Sequence, residues 1–152
     1  MHRMSNGLFI VSDVVRFRES PLKVEQLVKN TASQDTVSTV IGVEQEPGAS
    51  GVADAENYVR LLAGYIVRVC KPATDKITRA LPVSAQCEAG NIKILRGAWN
   101  EAFFNEIENF PPEASQGIKK RDEENFGHDD QVDAFSGAFN ELCGNVSCFD
   151  FV

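Results

Sequence analysis

The chain has 152 residues, 43% of them hydrophobic, which is enough for one globular domain with a single core and argues against a second domain. Its 22 acidic and 15 basic residues give a net charge of -7, which excludes a global positive field that would attract nucleic acid or anionic lipid. No apolar run reaches the ~20 residues of a membrane span, and the first residues lack the pattern of a signal peptide. The four cysteines show no CxxC pairing, which argues against structural zinc and favours reduced thiols in the cytoplasm.

The first residues predict one strand of a hairpin, followed by a helix. The turn "SNG" precedes a segment rich in β-branched and aromatic residues, 8–18, which is typical of a strand. Only four residues precede the turn, too few for a partner strand of usual length, so we expect the chain to begin inside a fold. Ser20 as N-cap and Pro21 at the first helical position predict a helix from residue 21 to about residue 32.

The rest of the chain alternates strands and helices. A nearly continuous apolar stretch from Thr39 to Pro47 predicts a central strand covered on both faces. Periodicity and glycine stops predict, in order, a helix (52–63), a strand (65–71), a helix interrupted around Pro82 (74–90), a strand (91–95), a helix (96–110), a polar loop (111–127), a helix (127–142) and a tail (143–152). This order implies an α/β domain over residues 1–142, with a sheet of mixed direction and helices on both faces.

Two acidic residues end the predicted central strand. Glu44 and Glu46 are two positions apart, so they share a face, at the strand end where α/β sheets tend to bind ligands. The alternative is that Glu44 forms an internal salt bridge with Arg16, Arg18 or Arg79.

Three aspartates crowd the start of the last helix, in "GHDDQVDAFSGAFNEL". Asp129, Asp130 and Asp133 are three and four positions apart, so they share one side, next to an apolar stripe formed by Val132, Phe135, Phe139 and Leu142. Acids in a first helical turn complement the helix dipole, but like charges at this spacing repel unless a cation lies between them. His128 either caps this helix or assists a site.

A glutamate at a strand end and closely spaced aspartates on a late helix together suggest a divalent metal site. Hard oxygen ligands suit Mg²⁺ or Mn²⁺. Paired ions of this kind activate water and stabilise the leaving oxygen when a phosphodiester is cut.

Three blocks of the sequence, "VIGVEQEPGASG", "DKITRALPVSAQCEAGNIKILRGAWNEAFFNEIENFP" and "GHDDQVDAFSGAFNEL", resemble the C-terminal nuclease domain of the large terminase subunit of tailed bacteriophages and prophages. With "DVVRFRESP" ahead of them, the resemblance covers residues 8–142. It implies an RNase H-like fold and metal-dependent cuts in concatemeric viral DNA, in the cytoplasm of a bacterial host. It also implies three partners: double-stranded DNA, the terminase small subunit and the capsid portal.

The resemblance also assigns residues. The second acidic position of the family falls on Glu44, with Glu46 as runner-up, and the third falls on Asp130, with Asp133 and Asp129 as neighbours able to assist. Lys76 and Arg79 are candidates for contact with the DNA backbone or, equally, for pairing with acids inside the fold.

Two departures from the family pattern bear on activity. The family's first strand, which carries its first aspartate, has no counterpart here, and Asp13 lies on the following strand and cannot readily replace it. No "GxxxxGK[ST]" phosphate loop occurs, so the chain by itself cannot couple ATP hydrolysis to DNA movement. We therefore expect weak or no nuclease activity, and an exposed sheet edge prone to self-association. The alternatives are a non-catalytic prophage remnant that binds DNA or a packaging partner, and another RNase H-like enzyme such as a resolvase or transposase.

Overall fold

The computed structural model describes residues 1–71, 74–110, 129–144 and 148–151. In this part of the chain the strands are β1 (His2–Arg3), β2 (Phe9–Val11), β3 (Val40–Glu44), β4 (Ile66–Cys70), β5 (Ile92–Ile94) and β6 (Cys148–Phe151). The helices are α1 (Pro21–Gln34), α2 (Ala49–Leu61), α3 (Lys76–Glu88), α4 (Asn100–Glu108) and α5 (Asp130–Cys143). None of these helices is long and apolar enough to cross a membrane.

The chain divides into two compact units, each with its own sheet and its own hydrophobic core. The first unit comprises Met1–Arg16 and Asp75–Gly144, and the second comprises Phe17–Thr74 and Asn145–Val152. The single domain predicted over residues 1–142 stays a prediction. Each three-stranded sheet buries a separate set of apolar side chains.

The first unit contains the sheet β1-β2-β5, in which β1 is antiparallel to β2 and β5 is parallel to it. Its core consists of buried residues from one strand and three helices, namely Phe9, Val11, Val83, Phe103, Phe135 and Phe139. The ring centroids of Phe9 and Phe139 lie 4.8 Å apart, and those of Phe103 and Phe135 lie 5.4 Å apart in an edge-to-face contact. These aromatic contacts attach α5 both to β2 and to α4.

Helix α5 confirms the apolar stripe predicted for it. Val132, Phe135 and Phe139 are buried, and Leu142 packs against the same core. At the far end of the helix the guanidinium of Arg3 donates to the carbonyl oxygen of Leu142 over 3.3 Å. A cation at a helix C-terminus is favourable because it complements the helix dipole.

The second unit contains the sheet β3-β4-β6, in which β3 is parallel to β4 and β6 is antiparallel to it. Ala32, Leu62 and Val67 are its buried core residues. Both sheets thus combine parallel and antiparallel pairs, which confirms the predicted mixed α/β class.

Several predicted elements differ from the observed ones. The strand predicted over residues 8–18 extends only over Phe9–Val11, where residues of β1 and β5 provide backbone partners. Helix α3 continues through Pro82, because the burial of Ala80 and Val83 around it compensates for one missing hydrogen bond.

Strand β3 was expected at the centre of a sheet, but in the described sheet it lies at the edge and β4 occupies the middle. Its exposed positions are Gly42 and Glu44, and its other three residues are half-buried. Its half-buried residues Ile41 and Val43 pack against the core of the second unit.

The C-terminal segment, predicted as a tail, contains β6. In the β4–β6 register Cys70 lies opposite Cys148, and Cys70 is disulfide-bonded, so the expectation of reduced thiols is wrong for this residue. Cys87 and Cys143 are free thiols. The predicted polar loop and His128 lie outside the described residues.

Candidate functional site

The three aspartates of "GHDDQVDAF" lie at the start of α5 in the first unit. Asp129 occupies the N-cap position, and Asp130 and Asp133 belong to the first turn. Asp130 is exposed, whereas Asp129 and Asp133 are partly buried. Asp130 is therefore the most exposed of the three aspartates.

Two cations on α3 face Asp129 and Asp133. The ammonium nitrogen of Lys76 lies 2.8 Å from Asp129 Oδ1 and 2.7 Å from Asp133 Oδ2. A guanidinium nitrogen of Arg79 lies 2.7 Å from Asp133 Oδ1. Both oxygens of Asp133 thus accept from cations, and the charge repulsion expected on α5 is relieved by α3.

The ion pair between Arg79 and Asp133 is largely shielded from solvent. The side chains of Arg79 and Asp133 are only 15% and 18% exposed, so solvent screens their attraction weakly. Partial burial acts to lower the pKa of Lys76, but its hydrogen bonds to Asp129 and Asp133 outweigh this and raise the pKa above its ordinary value. Lys76 therefore stays charged at any physiological pH.

The N-terminus of α3, which carries Lys76 and Arg79, is capped. The carboxylate of Asp75 accepts from the backbone N–H of Thr78 over 2.9 Å and from its hydroxyl over 2.7 Å, which caps the helix. One turn along, the side-chain amide of Asn140 donates to the carbonyl oxygen of Arg79 over 3.0 Å. Helices α3 and α5 are thus joined at several points along their contact.

A residue that the sequence analysis did not identify, Glu106 of α4, caps α5. Its carboxylate accepts from the backbone N–H of Gln131 over 2.5 Å and from that of Val132 over 3.1 Å. It also accepts from the side-chain amide of Gln131 over 2.5 Å. In the sequence, Glu106 is one acid near the end of α4. No neighbouring residue indicates that it caps another helix.

The acids of "VEQEPGASG" lie in the second unit. Glu44 is the last residue of β3, opposite Cys70 in the parallel register, and Glu46 follows it in the loop. The backbone N–H of Gln45 donates to the carbonyl oxygen of Cys70 over 2.9 Å, which prolongs the pairing by one residue. Glu44 lies at the carboxyl end of its strand, as the sequence predicts, and Glu44 and Glu46 are both exposed.

The glycines of this motif shape the loop that follows. Gly48 has a φ of 98°, in the region that favours glycine, and it allows the chain to turn from β3 into α2. Gly51 is buried in the first turn of α2, where a Cβ atom would lie 2.1 Å from the carbonyl oxygen of Glu46. The motif therefore requires a residue without a side chain at Gly51.

The described residues do not form a complete metal site. Among residues 1–71, 74–110 and 129–144, no group of three or more acidic, histidine or cysteine side chains is arranged to hold an ion. Asp133 uses both carboxylate oxygens on Lys76 and Arg79. Asp130 lies beside this cluster and is exposed.

A comparison with known families decides the classification. Residues 1–142 match the family model described as the terminase RNase H-like domain. The chain belongs to this family. No curated protein and no solved structure matches the chain. The sequence-based identification of a phage terminase nuclease domain is thus confirmed at the level of the family.

In this terminase domain, the structure shows one of the two roles that the sequence left open for Lys76 and Arg79. Both residues pair with acids inside the fold. Lys76 remains 47% exposed and Arg79 15%, so Lys76 retains more access to solvent.

Proposed function

We propose that this terminase domain cuts double-stranded DNA with the help of Mg²⁺ or Mn²⁺, and that Asp130 and Glu44 are metal ligands. The family match over residues 1–142 supports the proposal, since by resemblance these two acids fall on two acidic positions of the family. When bound, a divalent ion would supply activation of water and stabilisation of the leaving oxygen.

The observation that carries the assignment within α5 is the ion-pair cluster. Asp129 and Asp133 are neutralised by Lys76, and Asp133 also by Arg79. Their role in the proposal is to hold α5 against α3, and Asp130 is exposed in the first turn of the same helix. We propose concatemeric viral DNA as the substrate, and the terminase small subunit and capsid portal as partners, in the host cytoplasm.

We further propose that the polypeptide of 152 residues cuts slowly by itself. The support is the resemblance, which assigns two of the three acidic positions of the family, Glu44 and Asp130. A site with too few ligands binds its ions weakly and positions them poorly.

Nicking of supercoiled plasmid in Mn²⁺ tests this function. We expect slow nicking that a chelator stops and that both Asp130→Asn and Glu44→Gln lower at least about tenfold, since each removes one ion ligand. The matched control is Asp54→Asn, because Asp54 is an exposed acid on α2 and should not affect the rate.

Fast nicking that both substitutions abolish would contradict the proposed slow rate. Nicking that survives both would contradict the assignment of the ligands.

The ion-pair cluster also favours a second function, that of a non-catalytic module which binds DNA or a packaging partner. Acids that are neutralised within the fold no longer need a metal to relieve their repulsion. If the protein binds the same plasmid but does not nick it in Mn²⁺, the result would favour this second function.

A further inference from the structure

The N-terminus of α5 is capped by a residue from another helix, although an aspartate stands at its own N-cap. Asp129 has a side chain suited to capping, but it makes no side-chain cap hydrogen bond. Its backbone, with φ of -108° and ψ of 14°, also departs from the extended conformation of an ordinary N-cap.

The ion pair with Lys76 explains why Asp129 does not cap. Its Oδ1 lies 2.8 Å from the ammonium nitrogen of Lys76 on α3. A carboxylate directed towards α3 is drawn away from the N–H groups at the start of α5. These groups then need another acceptor, because the first four N–H groups of a helix have no partner within it.

Glu106 provides that acceptor. It binds the N–H groups of Gln131 and Val132, the two residues that follow Asp130. A carboxylate at this end of a helix also complements the helix dipole.

Gln131 strengthens the connection between α4 and α5. Its side chain is only 5% exposed, and its amide donates to Glu106 over 2.5 Å and, at longer range, to the carbonyl oxygen of Ala102 over 3.5 Å. The edge-to-face contact of Phe103 with Phe135 joins the same two helices. The first turn of α5 is thus fixed by α4, in addition to its ion pairs with α3.

From this geometry we infer that Glu106 is a positioning residue for Asp130. It fixes the backbone directly after Asp130 and thereby the direction in which the Asp130 carboxylate extends. The inference rests on the proposed function, in which Asp130 is a metal ligand.

The test is Mn²⁺ titration of ¹⁵N-labelled protein, because paramagnetic broadening of backbone amides near Asp130 reports metal position without requiring cleavage. Titrations are made at a temperature where circular dichroism shows each variant to be folded. We expect Glu106→Ala to weaken the apparent Mn²⁺ affinity about tenfold or more, as partners of metal ligands usually do. Amide hydrogen exchange at Gln131 and Val132 should accelerate in the same variant.

Two further variants separate positioning from stability. Glu106→Gln keeps a carbonyl oxygen for the backbone N–H groups, so it should restore the affinity to within about threefold of the unsubstituted chain. Glu108→Gln, an exposed position on the same helix, should change neither the affinity nor the exchange.

The outcomes separate the inference from the proposed function. Mn²⁺ broadening that depends on Asp130 but is unchanged in folded Glu106→Ala would overturn this inference and leave the proposed function standing. If Mn²⁺ broadens no amides near Asp130, or broadens them equally after Asp130→Asn, the proposed metal site is overturned. The positioning role is then overturned with it.

Discussion

Replacement of Phe103 by alanine is expected to lower the free energy of unfolding of the first unit by about 3–5 kcal/mol, the usual cost of emptying a fully buried phenylalanine site. Phe103 has no exposed surface, and its ring lies 5.4 Å from that of Phe135 and 5.5 Å from that of Trp99. The cavity would therefore open between α4 and α5. A loss of this size is a large part of the ~5–15 kcal/mol that stabilises a typical domain.

The adjacent residue provides the control. Phe104 is 41% exposed on the same helix, so Phe104→Ala should cost about 1 kcal/mol or less. Urea unfolding followed by fluorescence measures both variants, because Trp99 is the single tryptophan of the chain and lies against Phe103. Equal shifts of the two midpoints would show that the core of the first unit is not centred on Phe103.

In the second unit, Gly51→Ala is expected to destabilise the fold by about 3 kcal/mol, at the upper end of the usual cost of overpacking. The new methyl group would lie 2.1 Å from the carbonyl oxygen of Glu46, which is backbone and cannot rotate away. The loop between β3 and α2 would have to move, and the position of Glu44 at the strand end would change with it.

Gly42→Ala is the matched control, because Gly42 lies on β3 and no heavy atom comes within 4 Å of an added Cβ atom. Its stability should change by less than about 1 kcal/mol. Hydrogen exchange of the β4 amides measures both variants within the second unit. Similar protection in the two variants would contradict the proposed close contact of Gly51.

The sequence predicted those elements whose signal lies in a single segment. The buried stripe of α5 follows from residues spaced three and four apart, and the sharp start of α1 follows from Pro21. The strand end at Glu44 likewise follows from the local stop at Pro47 and Gly48. These features depend on neighbours in the chain, so periodicity and capping rules find them.

Features that depend on contacts between distant segments were missed or left open. Glu106 caps a helix that begins 24 residues later, and no pattern within α4 indicates this. The sequence allowed Lys76 to bind either DNA or internal acids, since both partners are anionic, and only the packing of α3 on α5 shows the internal pair. The division into two sheets was missed for the same reason, because strand order depends on tertiary contacts.

The same contacts change the interpretation of the three aspartates. A helical spacing of three and four places them on one side, but it does not tell a metal cluster from an ion-pair cluster. Lys76 and Arg79 supply the cations between Asp129 and Asp133. The repulsion that suggested a metal ion is therefore relieved by the protein itself at Asp129 and Asp133.

We propose that Asp130 binds metal and that Asp133 instead holds α5 against α3. Mn²⁺ titration of Asp130→Asn and Asp133→Asn, each measured by paramagnetic broadening together with its metal-free melting temperature, tests it most directly. We predict that Asp130→Asn loses the broadening. Asp133→Asn should keep the broadening but unfold more easily, by about 2–3 kcal/mol, because Arg79 loses a charged partner. Loss of the broadening in Asp133→Asn while Asp130→Asn retains it would contradict the account.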